Sequence, residues 1–521
     1  MATKLSVPYN MKPIITKFIV LISLLSTYSA KADHIIGSDM TYTCGDTAGI
    51  YNVIFNFYRD CNGCYVLGQS PKCGTSENCG SSSTAPTNLT VSCISGSNTS
   101  TIGSLTMTRT SITDITKTCK AVKSRCQQPC NGSFPFGIEK HTFEGRLDLR
   151  SNIASGCCKF EISVLLYVRN VGITTGQSQQ SFFTSCEFDA CKGPCNSSPT
   201  LTNDPVAILC CNQAFSFNNG AIDYTDRDSI SYAFAPAYSA RSTTCSYSGN
   251  RTYNNPITTY YPGSLVWPYA NPNANPPIGT YLDPVTGDII FTPVNCTEVA
   301  VVVIQMTEWR KDTSGTYQII GKTRRDMQIL VMTCPGNNPP TITGPFAYNV
   351  CEGSELCFNI TTNDVTFQPP PPATAPAPDT VSISWNAGIP GASFSVLNPT
   401  ALHQTGRFCW TPGEGTASSL PYNFTVTARD DACQLNALNT RAFRITVKPK
   451  AKANRTRDTL PCGVYAVKSN PVTGFKGTPG YSWNILDSTY NLVTDRKIAK
   501  FKFSGNYNSN KRQDTLIFTK G

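Results

Sequence analysis

The sequence predicts an all-β protein, and three observations carry that expectation. Apolar residues alternate with polar ones over short runs closed by Gly, Pro, Asn or Asp, which is the period of half-buried strands. With 37 Gly, 36 Pro and only 15% charged residues, the composition offers few stretches that would propagate a helix. A unit of roughly 120 residues built from such strands occurs twice, close to the size of a sandwich module. The expected architecture is tandem β-sandwiches following a disulfide-rich β domain.

Residues 1–32 read as an export signal. Lys4, Lys12 and Lys17 precede an apolar run from Phe18 to Leu25, and Ala30 and Ala32 supply small residues before a cleavage point at Asp33. That run is far short of the roughly 20 residues that span a bilayer, and no later segment approaches them, so no transmembrane segment is expected in the mature chain. All 24 cysteines follow the signal, 14 of them between Cys44 and Cys195. In an exported chain, spacings such as Cys61/Cys64, Cys126/Cys130 and Cys191/Cys195 read as bridges rather than zinc or redox sites. Their pairing is open at this stage.

The cysteine-rich β domain is expected over residues 33–196. Tyr51, Val53, Phe55 and Phe57 share one face of a strand, Phe160, Ile162, Val164, Leu166 and Val168 share another, and Asn88–Cys93 supplies a third. Few apolar residues lie between Cys61 and Cys79, where bridges are expected to stand in for core.

Two sandwich repeats follow, over 197–335 and 336–450. Asp288–Pro293 matches Arg407–Pro412, each after a glycine. Val302, Ile304, Met306 and Glu308 match Phe424, Val426, Ala428 and Asp430 at identical spacing, and Arg325–Val331 matches Arg441–Val447. The period suggests immunoglobulin-like or cadherin-like sandwiches. Cys357 and Cys409 of the second copy fall where the first has Phe217 and Ile290. Joint gain or loss of two cysteines is what a bridge produces, so a Cys357–Cys409 bond across the sandwich core is expected. Proline-rich insertions interrupt both copies: Tyr260–Pro277, with Tyr260, Tyr261, Trp267 and Tyr269, and the run Pro369–Pro378. A partial sandwich-like unit is expected over 451–521, with Cys462 unpaired within it.

Charge is uneven. From Lys448 onward there are 14 Lys and Arg against 4 Asp, a net of +10, whereas residues 33–447 are mildly acidic. The Lys497, Lys500 and Lys502 cluster alternates with apolar residues and reads as a solvated strand face, so no nucleic-acid partner is expected. Nine Asn-x-Ser/Thr sequons occur, such as Asn88, Asn250 and Asn423, which a eukaryotic host would glycosylate.

Catalytic motifs are missing. The histidines are His34, His141 and His403, and no nucleophile elbow, zinc-binding helix or phosphate loop is present. His34-Ile-Ile-Gly37 lacks the serine-protease segment that would give it meaning. Calcium is the metal candidate: Asp223, Asp226 and Asp228 place three carboxylates in six residues before a strand, and Glu308 and Asp430 could add oxygen ligands.

Asp33-His-Ile-Ile-Gly-Ser-Asp-Met-Thr-Tyr-Thr-Cys44, followed by Phe57-Tyr-Arg-Asp-Cys61, resembles the N-terminal segment of large secreted surface proteins of the Bacteroidota. The resemblance extends through Leu282–Pro293 and Thr427–Cys433. It implies type IX secretion cargo of the gliding-motility-associated kind, with cadherin-like, PKD-like or immunoglobulin-like repeats. The expected function is non-enzymatic, secreted or cell-surface, in adhesion or as a structural stalk, with a surface protein, matrix protein or polysaccharide as partner. The alternative expectation is a carbohydrate-binding or glycan-degrading surface protein using the Tyr260–Tyr269 loop.

Overall fold

The computed structural model describes residues 35–61, 87–127 and 134–449, apart from 171, 206–207, 224, 335 and 369–373, together with strand segments between 455 and 518. The export signal, most of the Cys61–Cys79 stretch, the start of the Pro369–Pro378 run, Cys462, Lys497 and Lys500 lie outside these residues. The described chain is nearly all β, and none of its helices is long and apolar enough to cross a membrane. It divides into two compact units. The first comprises the chain through Pro340 with Asp364–Thr380 and Arg429–Asn439; the second comprises Thr341–Asn363, Val381–Ala428 and the chain from Thr440.

The first unit opens with β1 (Ile35–Cys44), β2 (Ile50–Asp60), β3 (Asn88–Ser95), β4 (Asn98–Thr106), β5 (Thr108–Asp114), β6 (Ile138–Asp148), the one-turn α1 (Arg150–Ala154), β7 (Lys159–Val168) and β8 (Ser181–Asp189). Two antiparallel groups form, β4-β3-β7-β8 and β1-β2-β6-β5. Tyr51, Val53, Phe55 and Phe57 from one group meet Phe160, Ile162, Val164 and Phe188 from the other in a shared core. The alternation in β2 and β7 thus points inward as its period requires.

The first repeat follows with β9 (Thr200–Leu201), β10 (Ile208–Cys210), β11 (Phe215–Asn218), β12 (Ala221–Ile222), β13 (Ser229–Phe234), the short hairpin β14 (Tyr238–Ala240) and β15 (Thr243–Thr244), then β16 (Tyr281–Leu282), β17 (Asp288–Phe291), β18 (Val299–Lys311) and β19 (Tyr317–Met332). One sheet runs β11-β17-β16; facing it, β10 lies parallel to β19, which pairs β18, which pairs β13. Phe215, Phe217, Ile289 and Phe291 pack onto Val302, Ile304, Met306, Ile329 and Val331 between them.

The expected boundary at residue 196 does not separate sheets. The outer edge of β19 bonds β8 at Gly321 and Lys322 and β1 from Arg325 to Met327. The first repeat and the cysteine-rich domain therefore share one 14-stranded sheet. A long strand edge left open would invite pairing with other chains, and here β10, β1 and β8 cover it in turn.

In the second repeat, β20 (Thr341–Ile342), β21 (Ala347–Cys351), β22 (Leu356–Asn363), β23 (Ser382–Trp385), β24 (Ser393–Val396), β25 (Thr405–Trp410), β26 (Tyr422–Arg429) and β27 (Leu438–Lys448) form sheets ordered β20-β22-β25-β24 and β21-β27-β26-β23. β21 runs parallel to β27, as β10 does to β19. Strand order and the parallel first-to-last pairing make both repeats immunoglobulin-like sandwiches. Beyond them, β28 (Arg455–Leu460), β29 (Val464–Ser469), β30 (Phe501–Phe503) and β31 (Gln513–Phe518) pair in the order β28-β29-β31-β30.

Disulfides join Cys44 to Cys195, Cys61 to Cys126, Cys93 to Cys157, Cys158 to Cys191 and Cys119 to Cys433. In the first repeat, Cys210 bonds Cys334 and Cys211 bonds Cys296, which leaves buried Cys245 as the odd thiol. Cys357 bonds Cys409, but not across the core as the sequence suggested. The two residues are directly opposed on neighbouring strands β22 and β25 of one sheet. Alternation fixes which face a residue takes, and a pair on the same face of one sheet satisfies it as well as a pair on two.

Candidate functional site

The loop after β12 is shaped by its own carboxylate. Asp223 Oδ1 accepts the Asp226 amide at 3.0 Å and its Oδ2 accepts the Asp228 amide at 2.6 Å. This side-chain turn closes the segment and leaves Arg227 with a positive φ of 59°. Asp226 accepts the Ser197 amide at 2.6 Å, and Asp228 receives the Arg310 guanidinium in a two-point contact at 2.7 and 2.8 Å.

Glu308 projects from β18 into the same place and is fully buried. Asn196 Nδ2 donates to its Oε1 at 3.2 Å, and the Tyr42 hydroxyl donates to its Oε2 at 3.4 Å. Burial raises the Glu308 carboxyl well above its ordinary range; the Asp223 and Asp228 charges add to the rise while the Asn196 bond opposes it. Burial likewise raises Asp223 and Asp228. Asp223, Asp228 and Glu308 each bring an oxygen within 4.8 Å of the others. The other two metal-like groups among the described residues contain Cys61 with Cys126 and Cys357 with Cys409, which are bonded to each other and offer no thiolate.

Gly321 faces Glu308 across the β18–β19 ladder. A Cβ there would lie 2.1 Å from Glu308 Oε2 and 2.8 Å from the Tyr42 hydroxyl, so only glycine admits the buried carboxyl. Gly321→Ala is expected to cost about 1–3 kcal/mol by overpacking, read as a lower denaturation midpoint.

The sequence grouped Asp430 with these carboxylates, and the structure places it elsewhere. It follows β26, where its Oδ1 accepts the Ala437 amide at 2.7 Å and its Oδ2 accepts Asn337 Nδ2 at 2.9 Å. Burial lifts it to about 6, and lifts Asp364 to about 7 with help from the charges of Asp430 and Asp379. Asp430 holds the place in its repeat that Glu308 holds in the first, and each accepts an asparagine amide, from Asn337 and Asn196 respectively. Both asparagines escaped the sequence reading. The matching strings Asn196-Ser-Ser-Pro-Thr-Leu201 and Asn337-Asn-Pro-Pro-Thr-Ile342 carry the signal that would have found them.

The proline-rich loop of the first repeat is pinned at its base. The Tyr260 amide donates to Thr292 O, and the Gly279 amide donates to Tyr260 O. Tyr260 and Tyr261 are half-buried, while Val266, Trp267 and Tyr269 are exposed, with Trp267 at 43%.

No protein-family model matches the chain, and no curated protein is significantly similar to it in sequence. Solved structures with distant likeness include chains of immunoglobulin domains and a protocadherin. The N-terminal eight immunoglobulin domains of Down syndrome cell adhesion molecule align over 92% of this chain and 60% of that one, at 10% identity and a TM-score of 0.19. Titin domains I67–I69 align over 62% and 89%, at 11% identity and 0.16. The first two cadherin repeats of human protocadherin-24 align over 49% and 99%, at 13% identity and 0.15. The sandwich assignment stands on strand order and register.

Proposed function

We propose that the chain is a non-enzymatic protein of the cell surface or extracellular matrix, serving adhesion or as a stalk that resists extension. The observation that carries this reading is where two disulfides fall. Cys44–Cys195 closes 151 residues and encloses nearly all of the cysteine-rich domain. Cys210–Cys334 closes 124 residues and brackets the first repeat, joining the end of β10 to the chain just past its last strand, β19. Tension between Ile35 and Cys334 therefore runs through a covalent path of about 25 residues, each of which extends at most about 3.6 Å. Sulfur bonds, not sheet hydrogen bonds, bear the load.

The exposed tip around Val266, Trp267 and Tyr269 is the contact surface we assign to a surface protein, matrix protein or polysaccharide. Export and surface display as Bacteroidota secretion cargo are supported by the resemblance of Asp33–Cys44 to that group. Disulfides at this density belong to an oxidising compartment.

Single-molecule stretching of the mature chain, held at its two ends, tests the stalk. The oxidised chain is expected to withhold the lengths stored behind both bonds. Reduction is expected to release steps that include about 50 nm and about 40 nm, the contour lengths of the two loops, beside the length that Cys119–Cys433 withholds. Release of those lengths before reduction would refute the reading.

A further inference from the structure

The carboxylates around Glu308 are arranged for something that the hydrogen bonds do not supply. Asp223, Asp226, Asp228 and Glu308 bring four acidic groups together, and Arg310 is the cation paired to them, contacting Asp228 closely and Asp226 at 3.7 Å. A second observation points inward from the other side. Tyr51, on β2, is 0% exposed, and its hydroxyl has no hydrogen-bond partner. It lies close enough to Asp226 for that charge, after burial, to help push it up to about 12. An unpartnered hydroxyl in a closed interior costs roughly 1–3 kcal/mol, so its retention calls for a missing partner.

We propose that Asp223, Asp228 and Glu308 bind a calcium ion, with Asp226 in its field and the Tyr51 hydroxyl bonded to an ion-bound water. Ligand chemistry selects a hard cation, because every donor is an oxygen. The three oxygens all lie within 4.8 Å of one another, close enough for one cation to touch them all. A set of carboxylates drawn from a loop and a strand suits calcium, which accepts irregular geometry, better than magnesium, which demands a near-ideal octahedron. Arg310 flanks Asp228 without consuming all its lone pairs, since each carboxylate oxygen can accept twice. Four acids against one guanidinium keep a net negative site for a divalent ion to neutralise.

The ion would gather five segments of the first unit. Glu308 belongs to β18, Asp223 and Asp228 to the loop before β13, and Tyr42, Tyr51 and Asn196 bring β1, β2 and the strand-to-repeat connection to the same point. It would lock the connection between the two disulfide-bracketed regions. The proposal does not depend on the stalk reading, because a chain that resists stretching through its disulfides can do so with or without calcium.

The test uses the oxidised mature chain stripped with EDTA. Terbium, excited through tyrosine, is expected to luminesce and to be displaced by calcium, and millimolar calcium is expected to raise Tm by several degrees. Glu308→Gln, which keeps the shape and the Asn196 contact, should lower calcium affinity at least tenfold. Tyr51→Phe should lower it several-fold while leaving the metal-free Tm unchanged or higher, an outcome that a purely structural hydroxyl would not produce. Should Glu308→Gln fail to fold, Tyr51→Phe decides alone. Asp430→Asn should leave the terbium signal intact. The proposal falls if calcium neither displaces terbium nor shifts Tm, if both Glu308→Gln and Tyr51→Phe respond like the parent, or if Asp430→Asn abolishes the signal.

Discussion

Arg325→Met is expected to lower the unfolding free energy by about 3–5 kcal/mol, the largest single-residue effect in the first unit. Arg325 is 1% exposed, and its guanidinium is spent in full. Nε and Nη2 donate to Asp39 Oδ2 at 3.0 and 2.9 Å, Nη1 to Asn203 O at 2.6 Å and to Asn219 Oδ1 at 3.1 Å, and Nη2 to the Tyr58 hydroxyl at 3.3 Å. Methionine keeps much of the volume and removes every donor. What remains is Asp39, 0% exposed, as an uncompensated carboxylate supported only by Tyr58 at 2.6 Å and Asn56 at 2.8 Å. The cost is therefore that of a stranded charge, not of a lost attraction. Adding Asp39→Asn should recover more than half of it, because a neutral amide strands no charge: its oxygen can still accept from Asn56, and its NH2 can donate to the Tyr58 hydroxyl, which no longer accepts from Arg325. Denaturant titration of the four species closes the cycle, and a double variant no more stable than Arg325→Met would contradict the stranded-charge account.

That network also explains what was legible in the sequence and what was not. The alternation of Tyr51, Val53, Phe55 and Phe57 names one face of β2, and period-2 patterning reports a core of this kind because it depends only on neighbouring residues. In β1, Ile35 to Met40 are all buried, including Ser38 and Asp39, so no alternation exists to be read. Both faces are covered because β1 pairs β19, and the partner that permits Asp39 to be buried lies 286 residues away. β7 repeats the case: Glu161 and Ser163, expected to face solvent, are buried, with Glu161 held at 2.8 Å by Arg241 Nε. The candidate site divides in the same way. Asp223, Asp226 and Asp228 are visible as a cluster because they share one turn. Glu308 was reachable through the repeat. Tyr51, Tyr42 and Asn196 join them only by tertiary packing, and Arg310 differs from any surface arginine only in whom it meets.

Loss of the Cys210–Cys334 bond, by Cys210→Ala with Cys334→Ala, is expected to cost about 4 kcal/mol rather than the value its span suggests. A closed loop of 124 residues taken alone would restrict the unfolded chain by about 5 kcal/mol. The neighbouring Cys211–Cys296 bond already short-circuits most of that loop and leaves about 40 residues for the outer bond to constrain. Logarithmic dependence on loop length converts that shortening into about 1 kcal/mol. The two bonds must then be non-additive: deleting Cys210–Cys334 from a chain that already lacks Cys211–Cys296 should cost about 1 kcal/mol more than deleting it from the parent. Packing cannot mimic this sign, because the contacts around β10 and β19 are the same in both backgrounds, whereas the unfolded ensemble is not. Denaturant midpoints of the parent, both double variants and the quadruple variant measure the coupling directly. Strict additivity would show that the bonds act through native-state contacts. Under tension the same nesting has a mechanical consequence: Cys211–Cys296 alone still withholds 85 residues, so the outer bond withholds only about 40 further residues of the first repeat.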